Sequence, residues 1–284
     1  MTKKQRAAVQ KKRRQKKIAL VAVEILVLLL LAVVLFIVVK LSKIEKDNSF
    51  SAEDIDINEG ISQESQEIME GYTTIALFGL DNRSNGNLSK GNSDVIMIAS
   101  INNDTHDVKL VSVYRDSYLD IGNGKYQKCN SAYASGGPEQ AISMLNRNLD
   151  LNITDYVTVD FNAVVECVDL LGGVELTVTD EEAILMYGYM DEISKLTKKK
   201  SEYLPGGGTY VLDGVQACAY ARIRYTAGDD YKRTERQRIV LAAMVEKAQK
   251  SDIKTLNSLI DEVFGDIKTS FSNADLIALA TKIF

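Results

Sequence analysis

The 284 residues include only one histidine and three cysteines, so few kinds of catalytic centre can be built from these side chains. His106 lies in a polar turn, where we expect it to face solvent. No Ser–His or Cys–His pair can be assembled around it, which disfavours covalent hydrolase chemistry. No Cys-x-x-Cys motif or Cys/His metal spacing occurs. Three cysteines allow at most one internal disulfide; we predict that Cys129 and Cys218 pair and that Cys167 lies in the core.

Residues 1–17 contain no acid and nine Lys or Arg residues. The following segment IALVAVEILVLLLLAVVLFIVV (18–39) has Glu24 as its only charge and would be about 33 Å long as a helix. We therefore predict a cytoplasmic tail (1–17) and a single transmembrane helix (18–41). Residues 42–71 would form a polar stalk and 72–284 an extracellular domain. This topology makes the lipid bilayer a partner and accounts for the basic tail, so we expect no nucleic-acid partner.

From residue 73 onward, short β-branched runs alternate with helical patterns. Strands are predicted at 73–80, 93–100, 107–114, 155–160 and 174–178. Helices are predicted at 130–149, with an interruption at Gly136-Gly137-Pro138, at 161–171, 214–221 and 235–249, and twice more near the end. The turn INNDTH predicts an antiparallel hairpin of the second and third strands. Residues 180–203 are charged and variable in character, and residues 205–214 are turn-rich. The order predicts an α/β (α/β/α layered) domain with a mixed central sheet flanked by helices.

Arginine is scarce in the predicted outer part of the chain, where eight arginines stand against sixteen lysines after residue 41. Five of the eight fall within seventeen residues: Arg222, Arg224, Arg233, Arg236 and Arg238. Arginine is preferred where a planar, always charged group must bind phosphate or carboxylate. A structural ion-pair network is the alternative, because Asp229, Asp230 and Glu235 lie among these arginines. We expect Arg238 to be a surface charge.

Arg83 and Arg115 favour a binding site, because both lie at predicted strand ends, where ligands of open α/β sheets bind. Asp81 and Asp94 flank the loop between the first two predicted strands. Taken singly, either acid is also explained as a turn former or a strand-end cap. Together with the arginines they predict a phosphorylated substrate bound with a divalent metal, Mg²⁺ or alternatively Mn²⁺. The arginines would then stabilise charge that develops during transfer.

Six motifs in order resemble those of the LytR–CpsA–Psr family of bacterial cell-envelope phosphotransferases. The resemblance runs from about residue 73 to 267 and extends to the tail and the membrane anchor. The motifs are GLDNR (79–83), SDVIM (93–97), VSVYRDSYLDI (111–121), KCNSAYASGGPEQAI (128–142), LLGGVELTV (170–178) and LDGVQACAYARIRYTAGDDYKRTERQR (212–238). Tyr114 and the pair Tyr231-Lys232 depart from the residues usual in the family, and we expect Tyr114 and Lys232 to affect substrate fit.

The resemblance implies transfer of a glycopolymer, of teichoic acid or capsule type, from a polyprenyl pyrophosphate carrier to peptidoglycan. It places Asp81 and Asp94 on the metal ligands. The positions that bind the pyrophosphate are Arg83, Arg115, Arg222, Arg224, Arg233 and Gln237. Of these, Arg115, Arg222 and Arg224, together with Asp94, are the expected catalytic residues.

The resemblance also implies an apolar tunnel for the polyprenyl tail between the sheet and the helices. Residues 161–171 and 239–245 are candidate linings, but ordinary core is the favoured explanation of both. The group that takes the acceptor proton stays open between a metal-bound hydroxide, Asp94 and Asp116. A polyprenyl pyrophosphate phosphatase and a non-catalytic envelope sensor or transcription attenuator are the alternative functions.

Overall fold

The structure, a computed structural model, describes residues 45–46, 50–81, 87–89, 91–122, 124–224, 229–272, 274–276 and 278–279. All of them belong to the second of two units, Ile44–Phe284. The predicted cytoplasmic tail (1–17) and transmembrane helix (18–41) lie outside the described residues. Among the helices in the described ranges, none combines the length and the hydropathy that a membrane span requires.

The described chain is built from ten strands and seven α-helices, with strands and helices interleaved from residue 126 onward. The strands are β1 (Glu45–Lys46), β2 (Tyr72–Leu80), β3 (Ser93–Asn102), β4 (Val108–Ser112), β5 (Tyr118–Asp120), β6 (Tyr126–Lys128), β7 (Asp155–Val159), β8 (Val174–Val178), β9 (Gly208–Leu212) and β10 (Ile267–Thr269). The helices are α1 (Gln63–Glu70), α2 (Ser131–Leu149), α3 (Phe161–Leu170), α4 (Asp180–Thr197), α5 (Gly214–Arg222), α6 (Asp229–Gln249) and α7 (Ile253–Glu262).

A six-stranded sheet in the order β1-β10-β7-β2-β3-β4 forms the centre. Strand β2 pairs in parallel with β7 and antiparallel with β3, and β3 and β4 form the predicted hairpin. Two smaller ribbons, β5–β6 and β8–β9, lie outside this sheet. The prediction of a mixed sheet flanked by helices is therefore confirmed.

The two faces of β2 enter different hydrophobic clusters, because successive side chains of a strand point to opposite sides. Ala76 and Phe78 pack with Tyr133 and Met144 of α2 in one cluster. Ile75 belongs to another cluster, and Leu77 packs against it. Helices α3–α6 and the β8–β9 ribbon form a third cluster of their own. The third cluster gives the helical layer its own interior, so the layer does not need to close tightly on the sheet.

Helix α2 contains the predicted interruption. Gly136 and Gly137 have non-helical backbone angles inside Ser131–Leu149, and Gly137 has a φ of +69°. This angle lies in the region that side-chain-bearing residues rarely adopt. The predicted break at Gly136-Gly137-Pro138 is thus confirmed.

Residues 50–71 pack against the domain for much of their length, unlike the predicted stalk. Ile55 and Ile61 are buried, and the backbone N–H of Asp56 donates to Ser143 Oγ at 3.0 Å. Asn58 Nδ2 donates to the carbonyl of Arg147 at 3.0 Å. The apolar residues of this polar segment are too widely spaced to indicate burial from sequence. The folded domain therefore begins earlier than residue 72.

Helices and strands also form in segments for which the sequence predicts neither. Helix α4 begins with a capping box, in which the Thr179 hydroxyl accepts from the Glu182 N–H and the Glu182 carboxylate accepts from the Thr179 N–H. Strand β9 lies in the turn-rich segment 205–214, where it pairs with β8. The β5–β6 hairpin follows β4 directly.

The predicted disulfide between Cys129 and Cys218 is wrong, since both thiols are free, as is Cys167. Cys129 Sγ instead donates to the carbonyl oxygens of Tyr114 and Arg115 at 3.1 and 3.3 Å. Burial raises the pKa of Cys129 and of Cys167 to about 11. Burial likewise raises the pKa of Cys218 to about 12. The three thiols are therefore protonated at neutral pH.

Candidate active site

The two predicted metal ligands come from neighbouring strands and line the same cavity. Asp81 directly follows β2, and Asp94 is the second residue of β3. The sequence placed both acids at one site because they flank a single loop. Arg83, predicted to bind phosphate from this loop, lies outside the described residues.

A β-bulge sets the position of Asp94. Gly79 pairs with Val95 and Leu80 pairs with Ser93, so Asp94 has no partner of its own in this register. A bulge of this kind redirects a side chain away from the regular alternation. The strand opposite the bulge requires a glycine at Gly79, because a Cβ on this residue would lie 2.8 Å from the Val95 Cβ.

Arg115, in the segment after β4, binds Asp94 directly. Its Nη1 donates to both carboxylate oxygens, at 2.7 and 2.8 Å. Its Nε lies 3.7 Å from Asp116 Oδ2. Burial alone would lower the pKa of Arg115. The hydrogen bond to Asp94 and the charges of Asp94, Asp116 and Asp230 outweigh burial, so the pKa is raised.

Arg222 ends α5 and is held between two aromatic rings. The guanidinium carbon lies 4.5 Å from the centre of the Phe161 ring and 5.5 Å from that of Tyr189. Nη2 lies 3.2 Å from Glu192 Oε2 on α4. Stacking and ion pairing together fix the plane of the guanidinium group.

Arg224 and Gln237 complete the predicted set on the side of α5 and α6. Arg224 Nη2 lies 3.6 Å from Asp94 Oδ2. Gln237 follows Arg233 by four residues on α6 and shares its helix face. All three side chains line the cavity.

Arg233 is the most buried of these arginines, with 3% of its surface exposed. Its Nη2 lies 3.3 Å from Asp230 Oδ1 and donates at 3.5 Å to the carbonyl of Asp94. Burial lowers the pKa of Arg233, and the charges of Arg224 and Arg115 lower it further, while Asp230 opposes them. An anion in this cavity would favour the charged form of Arg233.

Buried donors remain available at this end of the cavity. Arg115 Nε, Arg222 Nη1 and Arg233 Nε are buried and have no hydrogen-bond partner among the residues that the structure describes. Buried donors of this kind are normally paired, so each calls for an explanation. Arg115 Nε lies 3.7 Å from Asp116 Oδ2, so Arg222 Nη1 and Arg233 Nε are the two donors that best fit an anion with several oxygen atoms.

The remainder of the cavity is apolar. The whole cavity has a volume of about 540 Å³ and lies between the central sheet and the helical layer. The sheet contributes Leu77, Val95, Met97, Val157 and Val159, and the helices contribute Phe161, Ala163, Val164, Cys167, Ala221, Val240, Leu241 and Met244. The predicted linings, 161–171 and 239–245, therefore do face a cavity. Other residues of the first segment, such as Val165 and Val168, are ordinary core.

Two arginines of the predicted cluster have structural roles. Arg236 is buried, with Nε donating to Glu182 Oε1 at 2.8 Å and Nη1 to the carbonyl of Ile223 at 3.3 Å. Arg238, expected to be a surface charge, is half-buried and does not line the cavity; its Nη1 donates to Ser112 Oγ at 2.6 Å. The two explanations of the cluster, an anion site and an ion-pair network, thus overlap. Arg222, Arg224 and Arg233 line the cavity and are also ion-paired, whereas Arg236 is ion-paired outside the cavity lining.

Two residues that depart from the family pattern contact each other beside Arg115. The rings of Tyr114 and Tyr231 have their centres 4.6 Å apart. Tyr231 is largely exposed. The aromatic ring at each of these two positions therefore packs against the ring at the other.

The residues present fit a hard divalent cation that brings its own additional ligands. Within the described ranges no group of three or more His, Cys, Asp or Glu side chains is arranged to hold a metal. Asp81 and Asp94 supply carboxylate oxygens at the polar end of the cavity. Mg²⁺ is commonly held by one or two carboxylates, with water and phosphate oxygens completing its shell.

Sequence reasoning missed the residues that orient Arg222. Glu192 and Tyr189 lie in α4, which was not predicted, and Phe161 was assigned only to the apolar side of α3. The capping pattern Thr179-x-x-Glu182 could have revealed the helix. The ion pair between Arg222 and Glu192 joins residues thirty positions apart in the chain, so no local sequence pattern indicates it. His106 is exposed, as predicted.

An apolar cavity that ends in guanidinium groups and carboxylates has the chemistry of a site for an amphipathic anion. Comparison with known proteins gives the family. The LytR_cpsA_psr family model matches residues 36–283, and this chain belongs to that family.

Relatives and solved structures agree with this assignment. The polyisoprenyl-teichoic acid–peptidoglycan teichoic acid transferase TagU of Enterococcus faecalis is 32% identical over 210 residues, which cover 73% of this chain and 64% of that protein. The chain thus spans less than two thirds of this relative.

Two solved structures of TagT also match. "TagT bound to LI-WTA" aligns with a TM-score of 0.60 and 29% identity over 75% of each chain. A structure of YwtF (TagT) with bound octaprenyl pyrophosphate lipid aligns with a TM-score of 0.55 and 26% identity, over 75% of this chain and 73% of that one.

Proposed function

We propose that this protein is a phosphotransferase that moves a glycopolymer from a polyprenyl pyrophosphate carrier to peptidoglycan. The observation that carries the proposal is the single cavity with apolar walls and an arginine-rich end. A polyprenyl pyrophosphate is apolar along its tail and strongly anionic at its head. The names of the relative and of the lipid-bound solved structure support the same substrate class.

The apolar walls would hold the lipid tail between sheet and helices. Each buried CH₂ group contributes about 0.8 kcal/mol. The pyrophosphate would then lie among Arg115, Arg222, Arg224, Arg233 and Gln237, which line the other end. Arg83, outside the described residues, would join them from the loop after β2.

The transfer would displace the lipid phosphate by an acceptor hydroxyl. The hydroxyl oxygen forms a bond to the phosphorus that carries the polymer, and the bond from this phosphorus to the bridging oxygen breaks. Polyprenyl phosphate leaves with the electron pair of that bond. Arg115, Arg222 and Arg224 would offset the negative charge that develops on the leaving phosphate.

Asp81 and Asp94 would hold Mg²⁺ or Mn²⁺, which would neutralise pyrophosphate charge when bound. Asp94 also receives both hydrogen bonds from Arg115 Nη1. One carboxylate would therefore organise both the cation and an arginine of the phosphate site.

Asp94 is the better placed of the two carboxylates considered for proton transfer. Asp94 lines the cavity and Asp116 does not. Position alone therefore favours Asp94, and we propose it for this role.

The proposal includes the predicted topology. Residues 1–17 would lie in the cytoplasm, 18–41 would cross the membrane, and the folded domain would lie outside the cell next to its acceptor. The basic tail and the apolar segment support this topology.

The test is a transfer assay with the full chain in detergent, a labelled polyprenyl-pyrophosphate-linked polymer and insoluble peptidoglycan. We expect covalently attached label together with polyprenyl phosphate. Arg115→Ala should lower the rate by the equivalent of about 2–4 kcal/mol. Arg238→Ala is the matched control, because Arg238 binds Ser112 instead of lining the cavity.

Two outcomes would replace the proposal. Release of polymer phosphate to water, with no attachment in the presence of peptidoglycan, would identify a pyrophosphatase. Lipid binding without turnover, unchanged in function by Asp81→Ala, would identify a sensor.

A further inference from the structure

Two exposed tyrosines lie side by side on the β5–β6 hairpin. The ring centres of Tyr118 and Tyr126 are 5.9 Å apart, and the ring planes differ by 31°. Their exposed fractions are 71% and 54%. Large apolar rings that stay exposed as a pair often mark a contact surface.

The strand register places both rings and a lysine on one face. Tyr118 pairs with Lys128 and Asp120 pairs with Tyr126, so these four residues share the outer side of the hairpin. The other side carries Leu119, which packs on the core. We call the outer side, with Tyr118, Tyr126 and Lys128, the tyrosine face.

The tyrosine face is linked to Arg115 of the candidate active site by two ion pairs that share Asp116. Lys128 Nζ lies 2.7 Å from Asp116 Oδ1, and Asp116 Oδ2 lies 3.7 Å from Arg115 Nε. Tyr118 follows Arg115 by three residues, so their Cα atoms are at most about 11 Å apart. A short glycan can therefore reach from the rings to the phosphate-binding arginines.

Backbone hydrogen bonds fix the hairpin relative to the site. The N–H of Asn130 donates to the carbonyl of Arg115 at 3.1 Å, and the N–H of Ser93 donates to the carbonyl of Asn130 at 3.2 Å. Ser93 precedes Asp94. The hairpin base is thus joined to both the arginine and the carboxylate of the polar end.

The charges around the rings balance. The negative charges of Asp116 and Asp120 are balanced by the positive charges of Lys125 and Lys128, and Lys128 forms an ion pair with Asp116. A face of this composition has no electrostatic preference for a polyanion. Flat aromatic rings with polar edges instead fit sugar rings, which present C–H groups on their faces and hydroxyls at their edges.

We propose that the tyrosine face binds the glycan strand of the peptidoglycan acceptor and guides its hydroxyl to the phosphate site. This inference rests on the proposed function. The acceptor is the better occupant than the donor polymer, because the donor is anchored by its lipid inside the cavity. An acceptor strand is too large for the cavity and needs an open surface beside it.

The experiment uses the full chain in detergent and varies the peptidoglycan concentration in the transfer assay. In the double variant Tyr118→Leu/Tyr126→Leu, which keeps apolar strand-forming side chains, we expect the KM for peptidoglycan to rise about tenfold, as for the loss of two ring contacts. The kcat and the affinity for the lipid-linked donor should not change. Tyr118→Phe/Tyr126→Phe keeps the rings and should stay close to the wild type.

Tyr203→Leu is the matched control. Tyr203 is 51% exposed and also paired with another tyrosine ring, Tyr187, at 4.6 Å, but it follows α4 and does not line the cavity. An unchanged KM in the leucine variant, or an equal rise in Tyr203→Leu, would overturn the proposal. So would a loss of donor affinity in place of acceptor affinity.

Co-sedimentation with insoluble peptidoglycan separates this inference from the proposed function. Weaker sedimentation of the leucine variant than of the wild type supports the tyrosine face even if no transfer is detected. Equal sedimentation overturns it even if transfer is found. Thermal unfolding of each variant checks that the hairpin change leaves the fold intact.

Discussion

Arg222→Met should separate the proposed head-group site from the proposed lipid site more cleanly than other single changes in the cavity. Arg222 stacks on Phe161, and its Nη1 is buried without a hydrogen-bond partner among the described residues. Methionine keeps an unbranched apolar side chain against the ring while removing the charge and all five donors. The cavity wall should therefore persist while one phosphate contact is lost.

The expected loss follows from the contacts. A hydrogen bond to a charged group contributes about 1.5–3 kcal/mol. At 1.4 kcal/mol for each factor of ten, removing one such bond should weaken polyprenyl pyrophosphate binding by about 10- to 150-fold. Polyprenol, which has the same tail and no phosphate, should bind both proteins equally.

Competition binding on the full chain in detergent measures both affinities against one labelled lipid. Arg238→Met is the control, since it removes the same groups from the same sequence cluster outside the cavity. If Arg222→Met weakens polyprenol as much as the pyrophosphate, Arg222 supports the wall and not the head group. If neither affinity changes, the anion site is wrongly assigned.

Three further predictions concern residues around the cavity and in the core. In the same competition assay, Glu192→Gln should weaken pyrophosphate binding by up to about fivefold, because a partly exposed ion pair contributes about 1 kcal/mol. An effect as large as that of Arg222→Met would mean that Glu192 does more than orient Arg222. Cys129 and Cys218 are buried, with pKa values raised to about 11 and 12, and should resist a thiol reagent at pH 8 until the protein is unfolded; fast labelling of either thiol in the folded protein would contradict its burial. Burial, with the charges of Asp160 and Glu166, raises the pKa of Asp266 above its ordinary 3.8, so its ionisation opposes folding. Asp266→Asn should therefore raise the Tm at pH 7, and this gain should shrink as the pH falls toward 3.8; a pH-independent gain would point to another cause.

The sequence predicted which residues lie together where chemistry and strand order coincide. Asp81 and Asp94 flank one loop between paired strands, so their convergence required only the hairpin of β2 and β3. The arginines were conspicuous because the outer domain otherwise prefers lysine. Each predicted site residue that the structure describes lines the same cavity.

The predictions failed where long-range geometry decides. A disulfide needs two cysteines at a specific separation, and similar surroundings of Cys129 and Cys218 carry no information on distance. The bulge at Asp94 depends on the register of β2 against β3. The partner of Arg222 comes from α4, whose amphipathic pattern is obscured by charged residues on both sides.

The acids of the site explain how so many arginines can share one cavity. Each guanidinium group that lines it is paired with a carboxylate: Arg115 and Arg224 with Asp94, Arg222 with Glu192, and Arg233 with Asp230. Without these acids, mutual repulsion and burial would disfavour the charged arginines. Arg222 and Arg233 nevertheless keep one buried donor each without a hydrogen-bond partner among the described residues. In the proposed function the carboxylates would hold the arginines in place, so that a pyrophosphate would meet donors that need little reorganisation.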